Sequence, residues 1–335
     1  MLKKSLIICF LCVSLAAYAQ KTRRLDSLNA TQVIDTLLID RDINNWSIRL
    51  FTNYKGQSFN LVDSDDKLSF KPNSSPGIGV GLGTSKAIID IAINLSGERE
   101  NPTKRFDMQG AVIVGDHNLV GLYVQHYSGF NVENNFGKPE FFRDDIESFS
   151  MGLNYLYTFE KLSFSRATLR AGLIKEEKKH FITFGVGGFM VYDKFSGDDT
   201  VVPIESDFDE NKQLNKFKGL GLGVSAGVIS VFVLPANFFI NLDITPGIGL
   251  MSKSAYNDSG KQKVDNPLLY KLDYNAGVGY AYKRFYVTLT YGNGLYTTRL
   301  NDGLNYLFGN TKAKISFGYR INSNKKLKLP FEKSK

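Results

Sequence analysis

The chain has 335 residues, with 41 Lys and Arg against 33 Asp and Glu and a formal charge of +8 at pH 7. That mild excess is no nucleic-acid footprint, which needs basic side chains gathered on one stripe or face. The only two cysteines, Cys9 and Cys12, precede Gln20, so the chain beyond holds no disulfide, thiolate metal site or cysteine nucleophile.

Lys3 and Lys4, the apolar run Leu6 to Leu15 and Ala17-Tyr18-Ala19 have the layout of a secretory signal peptide over residues 1–19. Cleavage there gives a mature chain from Gln20, and neither cysteine follows the small residue that lipidation needs. Residues 20–45 are expected to form a periplasmic lead-in, with Val33 to Ile39 as a helical turn or partial plug. Beyond Gln20 no segment reaches the ~18 uninterrupted apolar residues of a membrane helix. If the mature chain crosses a membrane it therefore does so as strands closed on themselves, because lipid offers backbone groups no partner.

From Trp46 onward, apolar and small or polar residues alternate with period two. Phe149, Met151, Leu153, Tyr155, Tyr157 and Phe159 share one face, with Ser148, Ser150, Gly152, Asn154 and Thr158 on the other. Phe238 to Leu250, Tyr270 to Tyr282 and Ala313 to Ile321 divide in the same way. Strands are expected to start near Trp46, Lys67, Ala87, Lys104, Asn118, Ile146, Phe164, Phe181, Phe217, Asn237, Leu268, Phe285 and Thr311. Thirteen candidates conflict with even closure, and alternation then puts the Asp193 to Lys216 loop on the periplasmic side. Ser128 to Asp145, Asp193 to Lys216 and Ser252 to Pro267 read as surface loops.

A soluble exported β-barrel binding protein alternates just as well. The second face argues against it, since it carries mainly Gly, Ser, Asn, Thr and Ala where soluble sheets carry solvated charge. Long strand candidates and aromatic rings at their ends point the same way. The expected architecture is an all-β, antiparallel up-and-down transmembrane barrel of about 12 strands (12–14) over residues 46–322, with large apolar side chains outward and small or polar ones inward. A basic tail, 323–335, follows.

On this reading Arg49, Asp107, Arg166, Arg170, Asp243, Lys271, Asp273, Lys312, Lys314 and Arg320 line the lumen. They could border a weakly selective pore or neutralise one another across a closed one. The chain's acidic clusters lack calcium-loop spacing, and its alternating glycines are strand faces and not phosphate loops, so no metal or cofactor is expected. His126 and Ser128 stand two apart on one outward face, where a nucleophile and base could meet. They resemble the His-x-Ser dyad of the outer-membrane phospholipase family, with Asn131, Asn134 and Asn135 as candidate orienters, although Gly129-Phe130 departs from that family's Asn-Gly. The reading preferred for the pair is a position at the membrane rim.

Four further segments carry a resemblance: Phe70-Lys71-Pro72-Asn73 leading into Ile78 to Gly83; Tyr155 to Phe159 turning into Phe164-Ser165; Lys178-Lys179 before Gly185 to Gly188; and Thr245-Pro246-Gly247-Ile248-Gly249. In their order they resemble an uncharacterised family of Gram-negative outer-membrane barrels known only as a domain of unknown function. The resemblance implies the barrel and its place in the cell outer membrane, and no activity. The partners expected are outer-membrane lipid and, during biogenesis, the outer-membrane assembly machinery. The function expected is that of a non-enzymatic passive pore or surface component, with lipid hydrolysis through His126 and Ser128 as the alternative.

Overall fold

The computed structural model describes residues 45–63, 66–83, 88–94, 101–114, 117–160, 162, 181–202, 214–262, 264, 266–300 and 303–322. The expected signal peptide, most of the expected lead-in, the Phe164 candidate, Arg166, Arg170 and the basic tail lie outside them.

The described residues form β1 (Asn45–Asp63), β2 (Asp66–Lys71), β3 (Gly77–Gly83), β4 (Ile88–Asn94), β5 (Lys104–Val114), β6 (Asn118–Asn134), β7 (Phe141–Thr158), β8 (Phe181–Ser196), β9 (Lys216–Val233), β10 (Phe238–Asn257), β11 (Gly260–Gln262), β12 (Leu268–Tyr282), β13 (Phe285–Arg299) and β14 (Asn305–Asn322). They build one 14-stranded antiparallel sheet that closes when β1 pairs with β14, from Asn45↔Asn322 to Val62↔Asn305. The closed path is a ring of ten strands, β1-β14-β13-β12-β10-β9-β8-β7-β6-β2. The remaining strands are β3, β4 and β5, set into one side, and β11, a short return on β10.

The candidate near Phe164 is where the count departs. β7 and β8 pair directly, from Glu147↔Ser196 to Thr158↔Gly185, so no strand from Phe164 stands between them. With it removed, Asn45 and Asn322 share one rim, and the segment between Ser196 and Lys216 moves to the opposite rim. We call these the terminal rim and the loop rim. The expected loops also shrink, because β6 runs on to Asn134, β7 starts at Phe141 and β10 reaches Asn257.

The candidate near Lys67 becomes two strands. β2 and β3 both pair with β1, yet Phe59↔Phe70 and Thr52↔Ile78 leave one extra residue on their side. Pro72 and Pro76 lie in that break, where each withholds an N–H from the ladder. Asn73 fills it: its N–H donates to Thr103 Oγ1 (2.7 Å), its side-chain amide donates to the Asn101 carbonyl (3.1 Å), and Thr103 Oγ1 donates to the Gly129 carbonyl (2.6 Å). Arg105 donates to the carbonyls of Lys55 and Ser75, both at 2.9 Å. Loop-side of the break, β2 pairs straight across to β6 at Leu68↔Asn134; below it, β3 and β4 extend from β1 while β5 lies along β6. The wall is therefore wider in its terminal half and drawn in at the loop rim.

Alternation sorts the side chains as expected through the terminal half. Ile48, Leu50, Val186, Leu222, Val224, Leu242, Leu250, Tyr270, Leu289 and Phe317 are exposed on the outside. Their inward neighbours include Ser47, Arg49, Asp243, Lys271 and Ser316, all buried. A continuous apolar belt of this kind far exceeds the few hundred Å² that soluble monomers expose. Its depth of about ten residues per strand matches a bilayer core.

Near the loop rim the pattern inverts, and here the expectation of a small, polar interior fails. The same inward row of β1 that carries Arg49 goes on to Phe59 and Leu61, both 0% exposed. Phe195, Phe217, Phe130, Ile146 and Tyr306 occupy the corresponding positions elsewhere, while Glu147 is exposed and Lys194 and Lys218 are half-buried on the outside. Once a strand leaves lipid for water its outer face must be polar, and only the interior is left to take the apolar residues.

Many inward glycines answer to aromatic rings on neighbouring strands. A Cβ on Gly318 would fall 2.0 Å from Tyr286 Cζ, and one on Gly279 2.0 Å from Phe239 Cζ. Each ring lies across the next strand at the one residue with no side chain to displace it. Gly318→Leu is expected to cost about 1–3 kcal/mol through this overpacking. The denaturant midpoint of the micelle-refolded barrel should fall, and Tyr286→Ala in the same chain should restore part of it.

Candidate functional site

The lumen is the natural place to look for a site, and it is layered. At the loop rim aromatic rings from opposite walls meet. Phe59 on β1 stacks on Phe70 of β2 at 4.3 Å and on Phe195 of β8 at 4.9 Å. Phe195 stacks on Phe217 of β9 at 5.4 Å, and Phe217 lies 5.0 Å from Tyr306 of β14. Val201, Val202 and Leu214 of the β8–β9 connection and Leu300 and Leu304 of the β13–β14 connection are buried in the same cluster. Strands that are not neighbours in the ring thus touch through their side chains, leaving no bore at this level.

Beneath the seal lies a polar layer centred on Asp107 of β5. Its carboxylate accepts from Lys55 (3.1 Å), Gln109 (3.1 Å), Gln125 (2.7 Å) and the Tyr127 hydroxyl (3.0 Å). Gln109 and Gln125 also donate to Asn310 of β14, both at 3.2 Å, and Gln57 donates to Ser148 of β7 at 2.6 Å. One carboxylate thereby ties together side chains from β1, β5 and β6, and its amide partners reach β14.

The other predicted lumen residues described here do face inward. Arg49 and Asp243 are each 2% exposed. Lys271 pairs with Asp273 and lies 5.3 Å from the Phe189 ring and 5.7 Å from that of Tyr296. Lys314 sits 4.0 Å over Phe51, with Lys312 and Arg320 half-buried along the same strand. The charges are divided among local partners: Lys55 goes to Asp107 and Lys271 to Asp273. At the terminal rim Leu156, Leu162, Phe181, Ile229, Val231, Val233 and Phe239 form a second apolar cluster on the β7 to β10 side.

His126 and Ser128 face outward, His126 exposed and Ser128 half-buried. Phe106 and Phe149 flank the histidine, while Lys104 and Glu147 flank the serine. Among the described residues no hydrogen bond joins the two. The carboxamides of two proposed orienters are engaged elsewhere: Asn134 bonds to Lys138, and Asn135 accepts from the Lys67 N–H. The structure does not assemble a dyad there.

Sequence reasoning missed two things, the hub role of Asp107 with Gln109, Gln125, Tyr127 and Asn310, and the aromatic seal. The seal had a signal, since Phe59 and Leu61 share the odd-numbered parity of Ser47 and Arg49. The hub had none, because Lys55 and Asn310 reach Asp107 and its amide partners from strands far off in sequence.

Beyond the apolar belt, at the start of β7, Arg143 grips Asp145 through two hydrogen bonds of 2.6 Å. The same guanidinium donates to the Thr200 carbonyl, and Asp145 accepts from the Asp198 N–H at 3.1 Å. The Arg143 hydrogen bond holds the Asp145 carboxyl below the usual carboxylate range against the opposing effect of burial, and Asp145 in turn raises Arg143. A carboxyl depressed in the folded state stabilises it above the ordinary aspartate range and loses that contribution as pH falls through the depressed value. The Asp198 amide should therefore be protected from hydrogen exchange at neutral pH, and its protection factor, measured against the intrinsic rate at each pH, should fall on strong acidification. Asp145→Asn should show the lowered protection already at pH 7.

The model of the family described as a domain of unknown function, DUF4421, matches residues 33–321. The chain belongs to that family. A comparison with curated proteins gave no match. Among solved structures, the translocator domain of autotransporter NalP from Neisseria meningitidis is similar at 11% identity and a TM-score of 0.36, covering 92% of this chain and 98% of that one. An outer membrane channel from Pseudomonas putida F1 is similar at 7% identity and a TM-score of 0.26, covering 83% and 96%. Outer-membrane expressed OmpT of Vibrio cholerae is similar at 9% identity and a TM-score of 0.28, covering 82% and 98%.

Proposed function

We propose that the protein is a closed, non-conducting barrel of the bacterial outer membrane, serving as a structural or surface component and not as a pore. Two features support the location: the apolar belt, which needs lipid around it, and the export signal read at residues 1–19. The observation that carries the closed state is the contact of Phe59 with Phe195 across the lumen, backed by Phe70, Phe217 and Tyr306. Ions crossing this level would have to part a packed apolar core, whereas a passive pore keeps its interior wet and polar. The charged groups beneath the seal tie the walls together and select nothing.

Planar-bilayer recording tests the reading. Refolded wild-type protein is expected to insert without conductance steps, and Phe59→Ala combined with Phe195→Ala and Phe217→Ala to admit them. Steady steps from the wild type would overturn it.

The same reading assigns no hydrolysis to His126 and Ser128, which have aromatic and charged neighbours and, among the described residues, no orienting partner. Phospholipid turnover by the reconstituted protein should stay at the level of empty vesicles, and Ser128→Ala should not change it. A rate above that level that Ser128→Ala abolishes would establish the enzyme instead.

A further inference from the structure

Just loop-side of the apolar belt, the outer wall of β8 and β9 carries Lys194, Lys216 and Lys218. Lys194 and Lys218 are directly opposite in the ladder, and Lys216 stands opposite Ser196. Like charges at opposed positions destabilise a sheet unless something between them carries the opposite sign. Among the described residues no carboxylate lies within salt-bridge distance of any of the three. Lys71, by contrast, pairs with Glu133, and Lys55 and Lys271 have carboxylates in the lumen.

The cluster's height is set by its neighbours. Lys194 follows the outward Tyr192, and Lys218 precedes Leu220, which is 48% exposed on the lipid-facing side. Three ammonium groups therefore project where an apolar wall gives way to polar surface, the depth of lipid headgroups. On the next strand Ser254 faces Lys218 and Tyr256 faces Lys216, whose Nζ lies 6.0 Å from the Tyr256 ring centroid. All three lysines are half-buried, so their stems lie along the wall and only the heads need reach outward.

We propose that Lys194, Lys216 and Lys218 form a binding site for the phosphate-bearing headgroup of a lipid in the leaflet on the loop side. A phosphate offers several charged acceptor oxygens, and cross-strand side chains about 5 Å apart can converge on one such group. Bound phosphate would remove the repulsion that the empty ladder carries. The inference rests on the membrane reading above and adds a lipid class and a position on the wall.

The test uses the refolded full chain in uncharged detergent micelles, with native mass spectrometry as the readout. The probes are a diphosphorylated glucosamine-disaccharide lipid, its dephosphorylated counterpart and inorganic phosphate. Wild type is expected to retain the diphosphorylated lipid over the dephosphorylated one, and K194Q/K216Q/K218Q to lower the bound fraction about tenfold. K67Q/K138Q/K261Q, which removes the same charge from exposed lysines elsewhere, should retain it. Should the triple variant not refold, K218Q alone is expected to weaken retention and keep the heat-modifiable gel mobility of the wild type.

Equal retention by the two triple variants, or equal retention of both lipids by the wild type, would overturn the site. Retention of inorganic phosphate without the lipid would overturn the lipid assignment. Failure of the wild type to insert into bilayer vesicles would strike the membrane reading itself, whereas a chain that inserts and keeps no phosphorylated lipid would strike the lysine site alone.

Discussion

Everything in this molecule depends on the rule that a backbone N–H or C=O inside lipid must find its partner within the protein. A sheet meets the rule by closing on itself, and the long β1–β14 ladder joins the first strand of the ring to the last. Closure then fixes which way each side chain points. The alternating pattern becomes an apolar outside and an enclosed inside, and the inside has to be filled or wetted.

How it is filled follows from the break at Pro72 to Pro76. Below that break β4 extends the wall from β3 and β5 extends it from β6, while at the loop rim β2 alone spans from β1 to β6. Fewer strands enclose a smaller section. Within it, Phe59, Phe70, Phe195 and Phe217 reach one another, whereas the wider half keeps room for Asp107, Lys55 and Gln125. The Phe70-Lys71-Pro72-Asn73 segment places one ring of the seal just ahead of the proline that starts the narrowing. Asn73 then ties the break to Asn101 and Thr103, just ahead of β5.

Most of the wall was legible in the sequence, because period two is a local property and a row of Phe149, Met151, Leu153, Tyr155 and Tyr157 opposite small and polar residues suits a strand against lipid. The even closure was not, since the Phe164 segment continues the same alternation and only the pairing of β7 with β8 shows that no strand comes between them. Of the site, the inward charges could be named from parity, Arg49, Asp243 and Lys271 among them. Their neutralisation by particular partners could not, because Lys55 and Asp107 meet only through the fold. The loop-rim core was hidden for a different reason: a strand that passes from lipid to water reverses the meaning of its two faces without changing its period. Phe195 and Phe217 then look like outward residues out of phase.

The closing ladder also sets an order of events. β1 is the first strand of the sheet in the chain and β14 the last, so the partner that seals β1 is among the final segments to emerge from any assembly process. Until then both strands present unpaired edges along their whole length. Contacts of such sequence separation form slowly, so the open sheet must be sheltered for as long as the chain is incomplete. A truncation that removes β14 would bare β1 and β13 and leave a curved sheet with no interior, and not a smaller barrel.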